Sequence, residues 1–157
     1  MTALVVAGLG MAGCSPGHWP TVSMLLVGGE PTILAAPCPA DSLTMLVVSE
    51  VSDGDTGDWP QWRSQGARPL ADGETVPLLD DPADWRTTTA ELTTIQPERR
   101  YHVRADGEQI SFTVDFTLDE LSGLDEGQVW ANTDGRGSRA VRREEFERAA
   151  GADCGRH

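Results

Sequence analysis

The sequence predicts an all-β fold with minor α content: a single antiparallel β-sandwich with a short C-terminal helix. Three observations carry that prediction. Residues 109–116 alternate strictly, with Ile110, Phe112, Val114 and Phe116 on one face and Ser111, Thr113 and Asp115 on the other; period two with one apolar face marks a half-buried antiparallel strand. Short runs rich in β-branched residues, bounded by Gly, Pro, Asn and Asp, recur from Thr21 onward, as a sandwich requires. Helix-favouring sequence is confined to Glu144–Ala150, followed by Gly151 as a stop signal.

Taken in order, Thr21–Val27 and Pro31–Ala36 read as a hairpin around a three-residue loop, Gly28-Gly29-Glu30, whose glycines can supply positive φ. Pro31 then belongs at a strand start or edge, and Pro37-Cys38-Pro39 ends the hairpin. Ser42–Val51 is Val-rich and strongly apolar, which suits a central strand. From Ser52 to Trp85 the pattern dissolves into Asp, Gly, Pro and Trp. A structureless loop of that length does not suit a compact domain, so one or two short strands are expected there, one of them at Glu74–Leu79. Trp59, Trp62 and Trp85 are expected to pin this region onto the sheet, each bringing its indole N–H to a partner if buried. Thr87–Ile95 and Arg100–Ala105 are further strands, with His102 on the exposed face of the second beside Arg100 and Arg104. Thr117–Gly127 is an acidic turn region with room for a helical turn, and Gln128–Asn132 and Arg139–Arg142 are short strands around the turn at Thr133–Gly137.

Composition narrows the function classes. The 157-residue chain carries a formal charge of −13, and all twelve of its cationic side chains are Arg. A chain this acidic gains no general attraction to phosphate backbones, which argues against nucleic acid as a partner. The Lys-free usage rich in Ala, Gly, Arg and Asp resembles that of GC-rich actinobacterial genomes.

The N-terminus is the most informative stretch. Ala3–Met11 is uncharged and apolar or Gly, the length of a signal-peptide core and too short to span a bilayer. Met11-Ala12-Gly13-Cys14 resembles the lipobox of bacterial lipoproteins, although Met11 stands where Leu is more usual and no Lys or Arg precedes Arg63. The resemblance implies a lipoprotein signal peptide over residues 1–13, cleavage before Cys14, and acylation of Cys14 with palmitate or a similar chain. A tether over residues 14–20 and one domain over 21–157 would follow, outside the cytoplasm and anchored to the cell membrane by lipid. The same stretch also contains Gly8, Gly10 and Gly13 in a literal G-x-G-x-x-G after an apolar run, with Glu30 near the spacing of a ribose-binding acid. A dinucleotide-binding reading needs a helix starting at those glycines, and Pro16, Gly17 and Pro20 oppose it.

If Cys14 carries lipid, the remaining two of the three cysteines, Cys38 and Cys154, form an even pair in an oxidising compartment. A bond between them would contribute about 4–5 kcal/mol in the chain-entropy model; the alternative is two unpaired thiols. Within the domain, Ile95, Pro97, Tyr101, Val103 and Ala105 resemble the approach to strand F of fibronectin type III domains, where the Tyr packs as a corner. That resemblance implies an immunoglobulin-like sandwich. The chain departs from the family in having no Trp in its early strands and more than forty residues after the corner.

No cofactor is expected. Asp53, Asp55 and Asp58 lie on a glycine-rich loop of the kind calcium favours, but Asp58 falls where an EF-hand needs Gly and Ser64 where it needs a bidentate acid, so a solvated loop is the expectation. Asp80–Asp84 reads as a turn. His18, His102 and His157 have no ligand spacing, no C-x-x-C occurs, and no G-x-S-x-G elbow marks a nucleophile. Arg139, Arg142, Arg143 and Arg148 interleave with Glu144, Glu145 and Glu147 as on an ordinary charged helix face. The expectation is therefore a lipid-anchored extracytoplasmic binding or cell-envelope interaction module rather than an enzyme, with an envelope protein or glycan as partner. The alternative is an envelope hydrolase or metal-dependent enzyme using the acidic, Trp-rich region 52–85.

Overall fold

The structure, a computed structural model, describes residues 22–36, 43–51, 59–66, 70–107, 111–132 and 136–153. Among these, ten strands and two helices follow in the order β1 (Val22–Val27), β2 (Glu30–Ala35), β3 (Leu43–Val51), β4 (Gln61–Gly66), β5 (Thr75–Pro77), β6 (Trp85–Ala90), β7 (Arg100–Gly107), β8 (Ser111–Phe116), α1 (Leu118–Ser122), β9 (Gln128–Ala131), β10 (Arg139–Arg142) and α2 (Arg143–Asp153). They form two five-stranded antiparallel sheets, ordered β10-β9-β1-β2-β5 and β6-β4-β3-β7-β8. The all-β sandwich read from the alternating strands is the observed fold. Its nucleus packs β1-β2-β5 against β4-β3-β7-β8. The chain left over after β7 widens the first sheet with β9 and β10 and supplies α2.

Every second residue of each long strand enters the space between the sheets. Val22, Met24, Ile33, Ala35 and Val76 from the first sheet meet Leu46, Val48, Trp62, Tyr101, Val103, Phe112, Val114 and Phe116 from the second in one core. A second apolar cluster lies on the far side of the first sheet, where Phe146 and Ala150 of α2 cover Leu34, Ala36, Val129, Ala131 and Val141. The first sheet is thus buried on both faces, which is why β1 and β2 read as nearly continuous apolar runs. The second sheet has no such cover among the described residues, and β7 and β8 alternate accordingly.

Several local expectations are corrected. Val27 pairs with Glu30, so the first hairpin turns on two residues rather than three; Gly28 and Gly29 have φ of 62° and 89°, and a two-residue turn with both central φ positive matches strand twist best. The irregular region holds two short strands, β4 and β5, as its length led one to expect. The strand expected over Thr87–Ile95 instead starts at Trp85 and stops at Ala90, because the Glu91 and Leu92 N–H groups both donate to the Gln61 carbonyl, at 2.9 and 3.0 Å, and Leu92 turns inward. Helix α2 runs through Gly151, which has no left-handed φ, instead of stopping there. The helical turn in 117–127 is α1, set by a capping box: Thr117 Oγ1 accepts from the Glu120 N–H and Glu120 Oε2 accepts from the Thr117 N–H.

Tyr101 is fully buried, its ring 5.5 Å from that of Phe116, and its hydroxyl accepts the Gln96 N–H at 2.8 Å. The edge strand β8 is clasped by the other sheet: the Trp130 indole donates to the Asp115 carbonyl at 2.8 Å, and the Asp115 N–H donates to Ser138 Oγ at 3.0 Å. Backbone groups that would otherwise form an open edge are thereby occupied. At the opposite side of that sheet Gly66 faces Trp85 in register, and a Cβ at Gly66 would run into the indole ring. The Gly66→Ala variant should therefore lose about 1–3 kcal/mol of stability in urea unfolding, the range for overpacking a filled site; an unchanged midpoint would show that the indole has room to move.

Candidate functional site

The outer face of the second sheet is the broadest surface over which no described helix or strand packs. Strand pleating decides what it displays. Leu46 and Val48 of β3 point into the core, so Val47 and Ser49 point out. On the flanking strands Trp62, Tyr101, Val103 and Val114 are likewise internal, leaving Gln61 and Arg63, His102 and Arg104, and Thr113 and Asp115 on the outside.

Register then brings together residues that the sequence keeps apart. Ser49 pairs with both Gln61 and His102, and His102 pairs with Asp115, giving a row Gln61–Ser49–His102–Asp115 across four strands. The row beside it is Arg63–Val47–Arg104–Thr113. His102 Nδ1 lies 2.5 Å from Asp115 Oδ1, with the two side chains 37% and 52% exposed. Ser49 is 9% exposed. Serine, histidine and aspartate in line are the residue types of a nucleophile, base and orienting acid. The His102–Asp115 half of that set is made; among the hydrogen bonds of the described residues none joins Ser49 to His102. His102 does sit beside Arg100 and Arg104 on the outer face, as its alternation implied, and its pairing with Asp115 and alignment with Ser49 are what sequence reasoning missed.

The neighbouring row is cationic. Val47 is only 6% exposed although no described element covers it, and its two cross-strand neighbours are Arg63 and Arg104. Arg104 is tied to Asp106 at 2.8 Å and Arg100 to Glu120 at 3.4 Å. Arg63 and Arg86 have no carboxylate partner among the described residues, and the buried Arg63 Nε has no acceptor there.

Other expected sites resolve differently. Cys14, Cys38, Cys154, Asp53, Asp55, Asp58, Gly8, Gly10, Gly13, His18 and His157 lie outside the described residues. Trp62 and Trp85 are 3% and 5% exposed in the core. Trp59 departs from expectation, its indole N–H being buried with no partner among the described residues. Two grooves flank the loop between α1 and β9. One, of about 480 Å³, is lined by Asp125–Gln128 and by Arg142, Arg143, Glu144 and Glu147; the other, of about 290 Å³, is lined by Leu25, Leu26, Leu121 and the same loop. Arg143 and Glu147 pair at 2.7 Å as an i,i+4 bridge, in keeping with an ordinary charged helix face. No group of three or more His, Cys, Asp or Glu side chains among the described residues is arranged to hold a metal ion.

The turn at Asp80–Asp84, with positive φ at Leu79 and Asp84, is a brace. Asp81 Oδ1 accepts from Ser64 Oγ at 2.5 Å and from Thr87 Oγ1 at 2.9 Å, and Oδ2 accepts from the Thr87 N–H at 2.9 Å. Burial pushes the Asp81 carboxyl upward and is the largest single influence, but the three hydrogen bonds together outweigh it and hold the group below its usual range.

Compared with known proteins, the chain matches no family model, no curated protein and no solved structure.

Because Asp81 is depressed in the folded state, its contribution is complete above the unfolded carboxylate value of about 3.9 and is lost as the pH falls through the lower folded value. Asp81→Asn should lower the unfolding midpoint at pH 7 and flatten the acid limb of the stability profile. A wild-type acid limb in the variant would contradict this assignment.

Proposed function

We propose that the chain is a lipid-anchored extracytoplasmic module of the cell envelope that works by binding, presenting the outer face of its second sheet to a partner. The observation that carries the anchor is the lipobox-like Met11-Ala12-Gly13-Cys14 after an uncharged apolar run, ahead of a domain whose first described strand starts at Val22. The binding role is supported by an open sheet face bearing arginines in a chain of charge −13. The enzymatic alternative placed in region 52–85 is weakened by its own residues: Trp62 and Trp85 fill the core and Asp81 braces a turn. Labelled fatty acid should enter the expressed protein, and Cys14→Ala should abolish both labelling and recovery in the membrane fraction. Unaltered fractionation of the variant would remove the anchor from the proposal.

One observation favours a second reading, hydrolysis at Ser49, namely the register row Ser49–His102–Asp115. A fluorophosphonate probe separates the two. Under the binding reading Ser49 stays unlabelled in the native chain, whereas labelling that disappears in His102→Ala would establish an activated serine.

A further inference from the structure

We propose that the outer face of the second sheet binds a carboxylate-bearing polysaccharide, an inference that rests on the binding reading above and names its ligand. The face offers Arg63 and Arg104, and Arg86, which pairs with Gln65 beside them on β4, together with the neutral hydrogen-bonding side chains Gln61 and Thr113. The only acids paired into the register of β7 and β8 on this side, Asp106 and Asp115, are already engaged by Arg104 and His102. Arg63 and Arg86 therefore present guanidinium groups lacking carboxylate partners among the described residues, and the planar fork of an arginine suits a carboxylate bidentately. Arg63 and Arg104 stand in one row on either side of β3, two strand spacings or about 10 Å apart at their backbones. A sugar chain with charge on alternate rings can bridge that span over Val47, with ring hydroxyls toward the polar side chains of the adjacent row.

Charge complementarity is local. The screening length at physiological salt is about 8 Å, so exposed acids elsewhere on the surface act only weakly here through solvent. A duplex, with a charge every ~1.7 Å, needs a far denser set of cations than this face supplies. A protein partner is disfavoured by the face itself. Interface centres are enriched in aromatic anchors, whereas Trp62, Tyr101, Phe112 and Phe116 all point inward and the central Val47 is only 6% exposed.

The test is titration calorimetry of the full chain, in detergent at physiological ionic strength, with polygalacturonate as probe and dextran, polyglutamate and duplex DNA as comparisons. Polygalacturonate is expected to bind and dextran to fail. Arg63→Gln with Arg86→Gln should weaken binding at least tenfold, and Arg86→Gln alone, at a sheet edge where folding is safe, at least threefold. Arg148→Gln, the same charge change on the exposed side of α2, should leave binding unchanged. Failure of polygalacturonate to bind, equal binding of polyglutamate or DNA, or equal weakening by Arg148→Gln would each overturn the proposal. None of these outcomes bears on Cys14, so the anchor and the ligand stand or fall separately.

Discussion

The structure depends on the parity of β3. With Leu46 and Val48 committed to the core, Val47 and Ser49 have to point outward, and pairing with β4 on one side and β7 on the other carries that parity across the sheet. A slip of one residue would move the whole apolar set to water, which is why burial specifies register so strictly. The irregular step near Leu43 and Met45 lies at the strand's start, away from the rows that matter. Everything displayed on the outer face is a consequence of what the inner face buries.

The two sheets are not equivalent. The first is sandwiched between α2 and the core, and it carries an apolar load on both sides. It also holds Ser23, fully buried on the strand face away from the main core, with its hydroxyl unpartnered among the described residues, a cost of the kind a fully apolar position would avoid. The second sheet is buried once and solvated once, and its edges are managed individually. Trp130 and Ser138 occupy the backbone of β8, while β6 is held by the Asp81 brace and by Trp85 lying over Gly66. A solvated face on a sheet with secured edges is free to take residues for reasons other than stability.

The strands were legible because their signal is local. Ile110, Phe112, Val114 and Phe116 announce a half-buried strand without reference to anything else. The continuous apolar character of β1 and β2 was visible too, although its cause, a helix laid over the second face, depends on where α2 lands. The alignment of Ser49, His102 and Asp115 was not legible, since it requires knowing that β3 and β8 both flank β7 and in which register. The stop of β6 at Ala90 was hidden for a similar reason: it is decided by a carbonyl on β4.

The pairing of β3 with β7 also bears on how the molecule is made. A two-residue hairpin such as β1–β2 closes on a timescale of about 1–10 μs, whereas Leu46 meets Ala105, and Ser49 meets His102, only after a long intervening stretch has been ordered. Such non-local contacts slow folding because loop closure must precede any stabilisation they bring. The row of Arg63 and Arg104 has no precursor in a partly formed domain, so a nascent chain displays it only once β4, β3 and β7 have paired.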